Sequence, residues 1–185
     1  LQELADSITQ HGVLQPLLVR PLVTGGYQLV AGERRWRASR MAGLKEVPVV
    51  VKELSDVETM EIAIIENLQR EDLNPIEEAE GLQALIDRCG FTQEEVATSV
   101  GKSRPAIANA LRLLKLPQEV RDMTKNGEIS AGHARALLSF DNEAMIYEVA
   151  QNIVKNNLTV RDVERLAKTS EKTSPSAKRK SKRRD

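Results

Sequence analysis

Gly32-Glu33-Arg34-Arg35-Trp36-Arg37-Ala38 concentrates three arginines at the start of a helical pattern, directly after the apolar run Tyr27-Gln28-Leu29-Val30. A glycine between a strand and a helix lets backbone approach a ligand closely. Guanidinium forks there add positive charge where a helix N-terminus already favours anions. The combination suits a phosphate. The same residues also fit a solvated basic helix face, with Glu33 and Arg37 as an ordinary i,i+4 pair. Trp36 reads more readily as packing material than as a base-stacking platform.

Glu66-Asn67-Leu68-Gln69-Arg70-Glu71-Asp72 is a natural partner for that stretch. It places a carboxylate, an amide and a cation at a helix end. Mg²⁺ on a triphosphate needs one or two oxygen ligands from protein, which Glu66 and Asn67 can supply. The alternative is a polar helix end whose Asp72 or Asn74 caps the next helix, and spacing does not choose between them.

A third segment, Phe91 to Pro117, has the spacing of a helix-turn-helix. Thr92 and Glu95 form a capping box. Ala97 is small enough for two helices to cross, Gly101 sits in the turn, and Ile107 packs the second helix back on the first. An apolar face of Ile107, Leu111 and Leu114 leaves Ser103, Arg104, Asn109 and Arg112 outside. Arginine can pair with guanine edges and asparagine with adenine, while serine serves phosphates. Ser130-Ala131-Gly132-His133-Ala134-Arg135, at the start of a later helix, is a second candidate contact. An ordinary helical hairpin with a polar face is the competing interpretation.

These residues need a scaffold, and the chain divides into two. Residues 1–72 alternate helix and strand: a helix from Leu1 stopped by Gly12, a strand Leu17–Arg20, a Thr24-Gly25-Gly26 turn into Tyr27–Val30, a helix from Glu33 to Met41, and a strand Val47–Val51. Pro48 puts that last strand at a start or an edge. From Ser55 onward strand signals vanish. Ser55 with Glu58, and Asn74-Pro75 with Glu77, mark two helix starts. Shorter helices follow at 93–99, 104–114, 118–125, 131–139, 142–155 and 160–168. The predicted class is α+β: a small mixed α/β domain over 1–72, an all-α domain over 73–168 with its helix-turn-helix at 92–114, and a tail over 169–185.

Composition narrows the classes further. Net charge is zero, yet residues 168–185 hold eight Lys/Arg against Glu171 and Asp185, leaving the rest of the chain acidic by six. That tail suits a disordered basic arm attracted to a nucleic-acid backbone, or a solubilising end. The single cysteine, Cys89, precludes an internal disulfide and fits a reducing cytoplasm. With two histidines beside it, a Cys/His zinc site is not expected. No apolar run approaches the ~20 residues that span a bilayer.

Taken together, the boxes resemble the ParB chromosome and plasmid partition family. The marks are Gly12-Val13-Leu14-Gln15-Pro16, the GERRWRA box, Glu66-Asn67-Leu68-Gln69-Arg70, and Gly101-Lys102-Ser103-Arg104-Pro105 with Ile107-Ala108-Asn109. The resemblance implies a homodimeric DNA-clamp CTPase, which recognises a palindromic double-stranded parS site. CTP with Mg²⁺ closes it into a sliding clamp, and slow hydrolysis to CDP and phosphate reopens it. It also implies that Gly32, Glu33, Arg34 and Arg35 contact the triphosphate with support from Arg37. Glu66 and Asn67 hold Mg²⁺ and position the attacking water, and Arg70 braces that segment. Ser103, Arg104, Asn109 and Arg112, with Gly132 and Arg135 on a supporting helix, contact DNA. A ParA-type ATPase, an SMC-type condensin and a nucleoid-associated place in the bacterial cytoplasm follow from the same likeness. Arg104 and Gly132 resemble the partition branch, Lys115 its nucleoid-occlusion paralogue.

The family's first nucleotide motif and its C-terminal dimerisation domain are not in this sequence, which is expected to be the middle of a longer protein with weakened CTP and parS binding. A KorB-like regulator without a nucleotide switch is one competing class. A small sulfiredoxin-like enzyme is another, disfavoured because Cys89 lies far in sequence from the arginines.

Overall fold

A computed structural model describes residues 1–70 and 72–173. Of the tail expected over 169–185, residues 169–173 instead continue the last helix, and the remainder, with the basic stretch from Lys178, lies outside the described residues. The chain splits into two compact units, Leu1–Gln69 and Arg70 onward.

The first unit is a three-stranded sheet with helices. α1 (Gln2–His11) ends at Gly12, whose amide donates to the Ile8 carbonyl at 2.8 Å. β1 (Leu17–Pro21) and β2 (Tyr27–Ala31) form an antiparallel hairpin, turned by Gly25 and Gly26 at φ 88° and 83°. α2 (Glu33–Met41) follows, then β3 (Val49–Val51), which pairs parallel with β1 and gives the order β2-β1-β3. Pro48 lies just before this edge strand, as its missing N–H requires, and its carbonyl accepts from the Leu17 amide at 3.0 Å. The strand is two residues shorter than its apolar run predicts. Ala5 and Ile8 of α1 pack on Ala38 of α2, and Leu17, Val19 and Val30 are buried. α3 (Asp56–Leu68) starts at the expected Ser55–Glu58 capping box and lies against β2, but none of its residues is fully buried.

The second unit is all helix among its described residues: α4 (Pro75–Cys89), α5 (Gln93–Ser99), α6 (Arg104–Arg112), α7 (Gln118–Lys125), α8 (Ala131–Leu137), α9 (Glu143–Asn156) and α10 (Val160–Thr173). Asn74–Glu77 and Thr92–Glu95 close the predicted capping boxes. One core gathers Ile76, Leu116, Val120, Ile129, Leu137, Ile153 and Val163. Leu82, Leu85, Val96 and Ile107 are buried as well. The expected helix over 104–114 instead tightens to a 3-10 turn at Leu113–Lys115. Tightening re-aims the last turn. Leu113 is therefore the buried residue, at 4% exposure, while Leu111 and Leu114 are half-buried.

Candidate nucleic-acid interface and nucleotide cradle

Thr92 caps α5, and Val96 and Ala97 bury its inner side. Gly101, at φ 68°, turns the chain, and the Lys102 amide closes the turn on the Ala97 carbonyl at 2.9 Å. Ser103 caps α6 by accepting from the Ala106 amide at 3.3 Å, so its oxygen is partly used and its O–H stays available. Ile107 is wholly buried. Arg104, Asn109 and Arg112 are exposed. At 3.6 residues per turn they span an arc of about 140°, clear of Ile107. The Arg104 Nε lies 4.0 Å from the Glu94 carboxylate, a weak tether in solvent.

α8 adds the neighbouring wall. A groove of about 320 Å³ is lined by Ala106, Asn109 and Ala110 of α6 and by Ala131 and Arg135 of α8. It brings together two predicted contacts, Asn109 and Arg135, that lie far apart in sequence. Lys102 also lines it, ion-paired with Glu78 of α4. Sequence reading passed over that pair and the small alanine floor. Gly132 has a packing reason for its identity: a Cβ there would stand 3.0 Å from Val160 Cγ2. The start of α8 is occupied from within. Ser130 accepts from the His133 amide at 3.2 Å, while the Ser130 amide donates to His133 Nδ1 at 3.3 Å.

In the first unit, Gly32 is the N-cap of α2 at φ 103°, with no capping side chain. Left-handed φ favours glycine, and the space forbids anything larger. A Cβ would sit 2.8 Å from Leu17 Cδ2 and 3.4 Å from Arg35 Cζ. The first-turn amides of α2 therefore point out past a bare backbone, which suits an anion. Arg35 Nη1 donates to the Gln15 and Pro16 carbonyls at 2.8 and 2.7 Å, tying α2 to the loop before β1. Arg37 pairs with Glu33 at 2.7 Å, and Arg34 is exposed with no partner among the described residues. Trp36 is neither core nor bare: it is 37% exposed, with the Arg40 guanidinium 5.1 Å from its ring centroid.

Glu66 and Asn67 are exposed on the last turn of α3. Arg70 opens the second unit, where Nε and Nη2 bond both oxygens of Asp72 at 3.1 and 2.9 Å. Among the described residues no cluster of three or more His, Cys, Asp or Glu can cage a metal. One carboxylate and one amide fit Mg²⁺ that takes its other ligands from phosphate and water. No described helix is long and apolar enough to cross a membrane.

A Gly-capped, arginine-led helix on a small α/β unit, joined to a helix-turn-helix unit, defines a two-unit protein of the helix-turn-helix class. Residues 1–68 match the ParB N-terminal domain and residues 71–172 the ParB HTH domain. The chain belongs to the ParB family. It is 58% identical to the chromosome-partitioning protein Spo0J of Thermus thermophilus over 90% of this chain and 61% of that protein. With the chromosome-partitioning protein ParB of Myxococcus xanthus the identity is 52%, over 92% and 57%. The chain thus spans about three fifths of these curated relatives. Among solved structures, the C-terminally truncated chromosome-partitioning protein ParB from Caulobacter crescentus, complexed to the centromeric parS site, matches with a TM-score of 0.78. It is 46% identical over 91% of this chain and 86% of that one.

Proposed function

We propose that this chain is the nucleotide-switch and DNA-reading part of a chromosome-partitioning protein. The carrying observation is the groove in which Asn109 of α6 and Arg135 of α8 converge. In this reading α6 enters the major groove of a parS-like palindrome. Arg104, Asn109 and Arg112 meet base edges, Ser103 meets phosphate, and α8 supports through Arg135, with Gly132 keeping that helix close to α10. A palindrome asks for two copies, so the binding species is a homodimer.

The first unit binds CTP. Gly32, the first-turn amides of Glu33, Arg34 and Arg35, and the exposed Arg34 guanidinium meet the triphosphate, while Arg35 braces the cradle on the Gln15 and Pro16 carbonyls and Arg37 holds the Glu33 carboxylate aside. Glu66 and Asn67 would hold Mg²⁺ and position a water for attack on the γ-phosphorus, the bond to the β-phosphate oxygen breaking to release CDP and phosphate. Mg²⁺ bound there would neutralise charge spread over the phosphate oxygens. Nucleotide identity comes from family membership, since nothing in these side chains distinguishes cytosine from another base. Closure into a sliding clamp, contacts with a ParA-type ATPase and an SMC-type condensin, and a place on the bacterial nucleoid belong to the same reading.

The test is calorimetric titration of the four Mg²⁺–NTPs with and without a parS duplex, beside retention of the chain on closed DNA. CTP binding that changes retention is the expected result. ATP binding without CTP binding refutes the ligand. No retention change with any nucleotide favours a plain DNA-binding regulator.

A further inference from the structure

α3 carries Glu66 and Asn67 at one end, yet little apolar burial holds it. Ile62, Ile65 and Leu68 are half-buried, and Val57 and Met60 near its start are 48% and 38% exposed. Its start is held by polar contacts instead. The Ser55–Glu58 box is internal to the helix and sets where α3 begins, not where it lies.

The contact that reaches outward is Arg20 of β1. Its side chain is only 15% exposed and uses three nitrogens on three segments. Nε donates to Gln28 Oε1 of β2 at 2.7 Å, Nη1 to the Leu54 carbonyl at 3.2 Å, and Nη2 to Asp56 Oδ1 at 2.6 Å. Gln28 stands opposite Arg20 in the β1–β2 register, so the sheet orients the guanidinium before it meets α3. A lysine, with one compact ammonium, cannot span those three directions.

We infer that Arg20 is a positioning residue for the Glu66–Asn67 end of α3, a latch acting through the opposite end of the helix. Its consequence for turnover rests on the nucleotide reading above; the latch itself does not. Asp56 and Glu66 stand ten residues, about 15 Å, apart along α3, so a 10° tilt at Asp56 moves Glu66 by roughly 2.5 Å. Misplacing a catalytic group by about 1 Å can cost on the order of 100-fold in rate. The protein cations proposed for the triphosphate lie on α2, which Arg20 does not touch, so turnover should fall much further than affinity.

The experiment compares the 185-residue chain with Arg20→Ala, Arg20→Lys and Asp56→Asn. Asp56 is 89% exposed, so its variant keeps the packing even if Arg20→Ala folds poorly. Backbone hydrogen exchange is read first. Amides of α3 should exchange about 10-fold faster in Arg20→Ala, and less so in the other two, while β1–β2 amides stay within about threefold. Mg²⁺–CTP turnover is read next, with kcat expected to fall roughly 10- to 100-fold in Arg20→Ala and KM to stay within about threefold. Unchanged α3 exchange in both Arg20→Ala and Asp56→Asn overturns the latch. Equal loosening of α3 and the β1–β2 hairpin reduces Arg20 to a sheet staple and overturns it too, as does a raised KM at constant kcat. Absence of turnover in the unsubstituted chain refutes the nucleotide reading, and the exchange comparison then decides the latch alone.

Discussion

Gly32→Ala is the sharpest perturbation of the cradle, because two independent costs meet at one atom. Alanine at φ 103° is held in a region that L side chains rarely adopt, which costs about 1–3 kcal/mol. Its Cβ would also stand 2.8 Å from Leu17 Cδ2. Leu17 is 2% exposed in the core of the first unit, so its methyl has nowhere to go. Overpacking of that kind adds about 1–3 kcal/mol. Together they predict a loss of roughly 2–6 kcal/mol in the first unit, a fall of about 10–45 °C in its melting temperature. Arg35 lies 3.4 Å from the same Cβ, so its brace on Gln15 and Pro16 should shift. Differential scanning calorimetry should show the first-unit transition lowered and the second-unit transition unmoved, and nucleotide titration should show affinity lost. A melting temperature and nucleotide affinity equal to those of the unsubstituted chain would refute the reasoning at both steps.

Other variants probe the second unit. Ile107→Ala should cost about 2–5 kcal/mol of second-unit stability by opening a cavity under α6; urea unfolding measures it, and a loss below about 1 kcal/mol would argue against the buried anchor. Arg104→Ala should relax site choice by roughly 5- to 150-fold, or about 1–3 kcal/mol, in competition binding. Arg112→Leu should weaken binding to the preferred site while leaving the slope of log K against log salt nearly unchanged, as a base contact requires; a slope lowered by about one would place Arg112 on a phosphate instead. The acid limb of stability should also respond to the helix starts. The Glu95 carboxyl is held below its ordinary range, chiefly by the Thr92 backbone amide and then by its hydroxyl, and Glu58 likewise by Ser55. Lowered folded-state values stabilise the fold above the usual carboxylate range, and that contribution is lost as pH falls through it, below about pH 4–5. Glu95→Gln should flatten the pH dependence there in acid titration followed by circular dichroism.

Helix starts were legible because caps are local chemistry. Asn74 and Glu77, or Thr92 and Glu95, lie three residues apart and answer each other without help from the rest of the chain. α2 runs from Glu33 to Met41 as its pattern predicts, bounded by Gly32 before and the turn at Gly43 after. The turn at Gly101 and the burial of Ile107 were equally plain from spacing. The exposed arc of Arg104, Asn109 and Arg112 follows once Ile107 faces inward.

Pairings between distant segments carry no such local mark. The parallel pairing of Val49–Val51 with β1, and the exposure of all three valines, depend on which edge of the sheet the strand joins. Leu113 rather than Leu114 enters the core because the helix tightens against that core. Arg35 on the Gln15 and Pro16 carbonyls, Lys102 on Glu78, Gly132 beneath Val160 and Arg20 across three segments are all decided by tertiary approach. The sequence by itself determined which residues can carry charge, cap a helix or turn the chain, since those are properties of side chains and near neighbours. Only the tertiary structure decided which charges are spent on scaffolding and which face solvent, because that depends on close packing between residues the chain holds far apart.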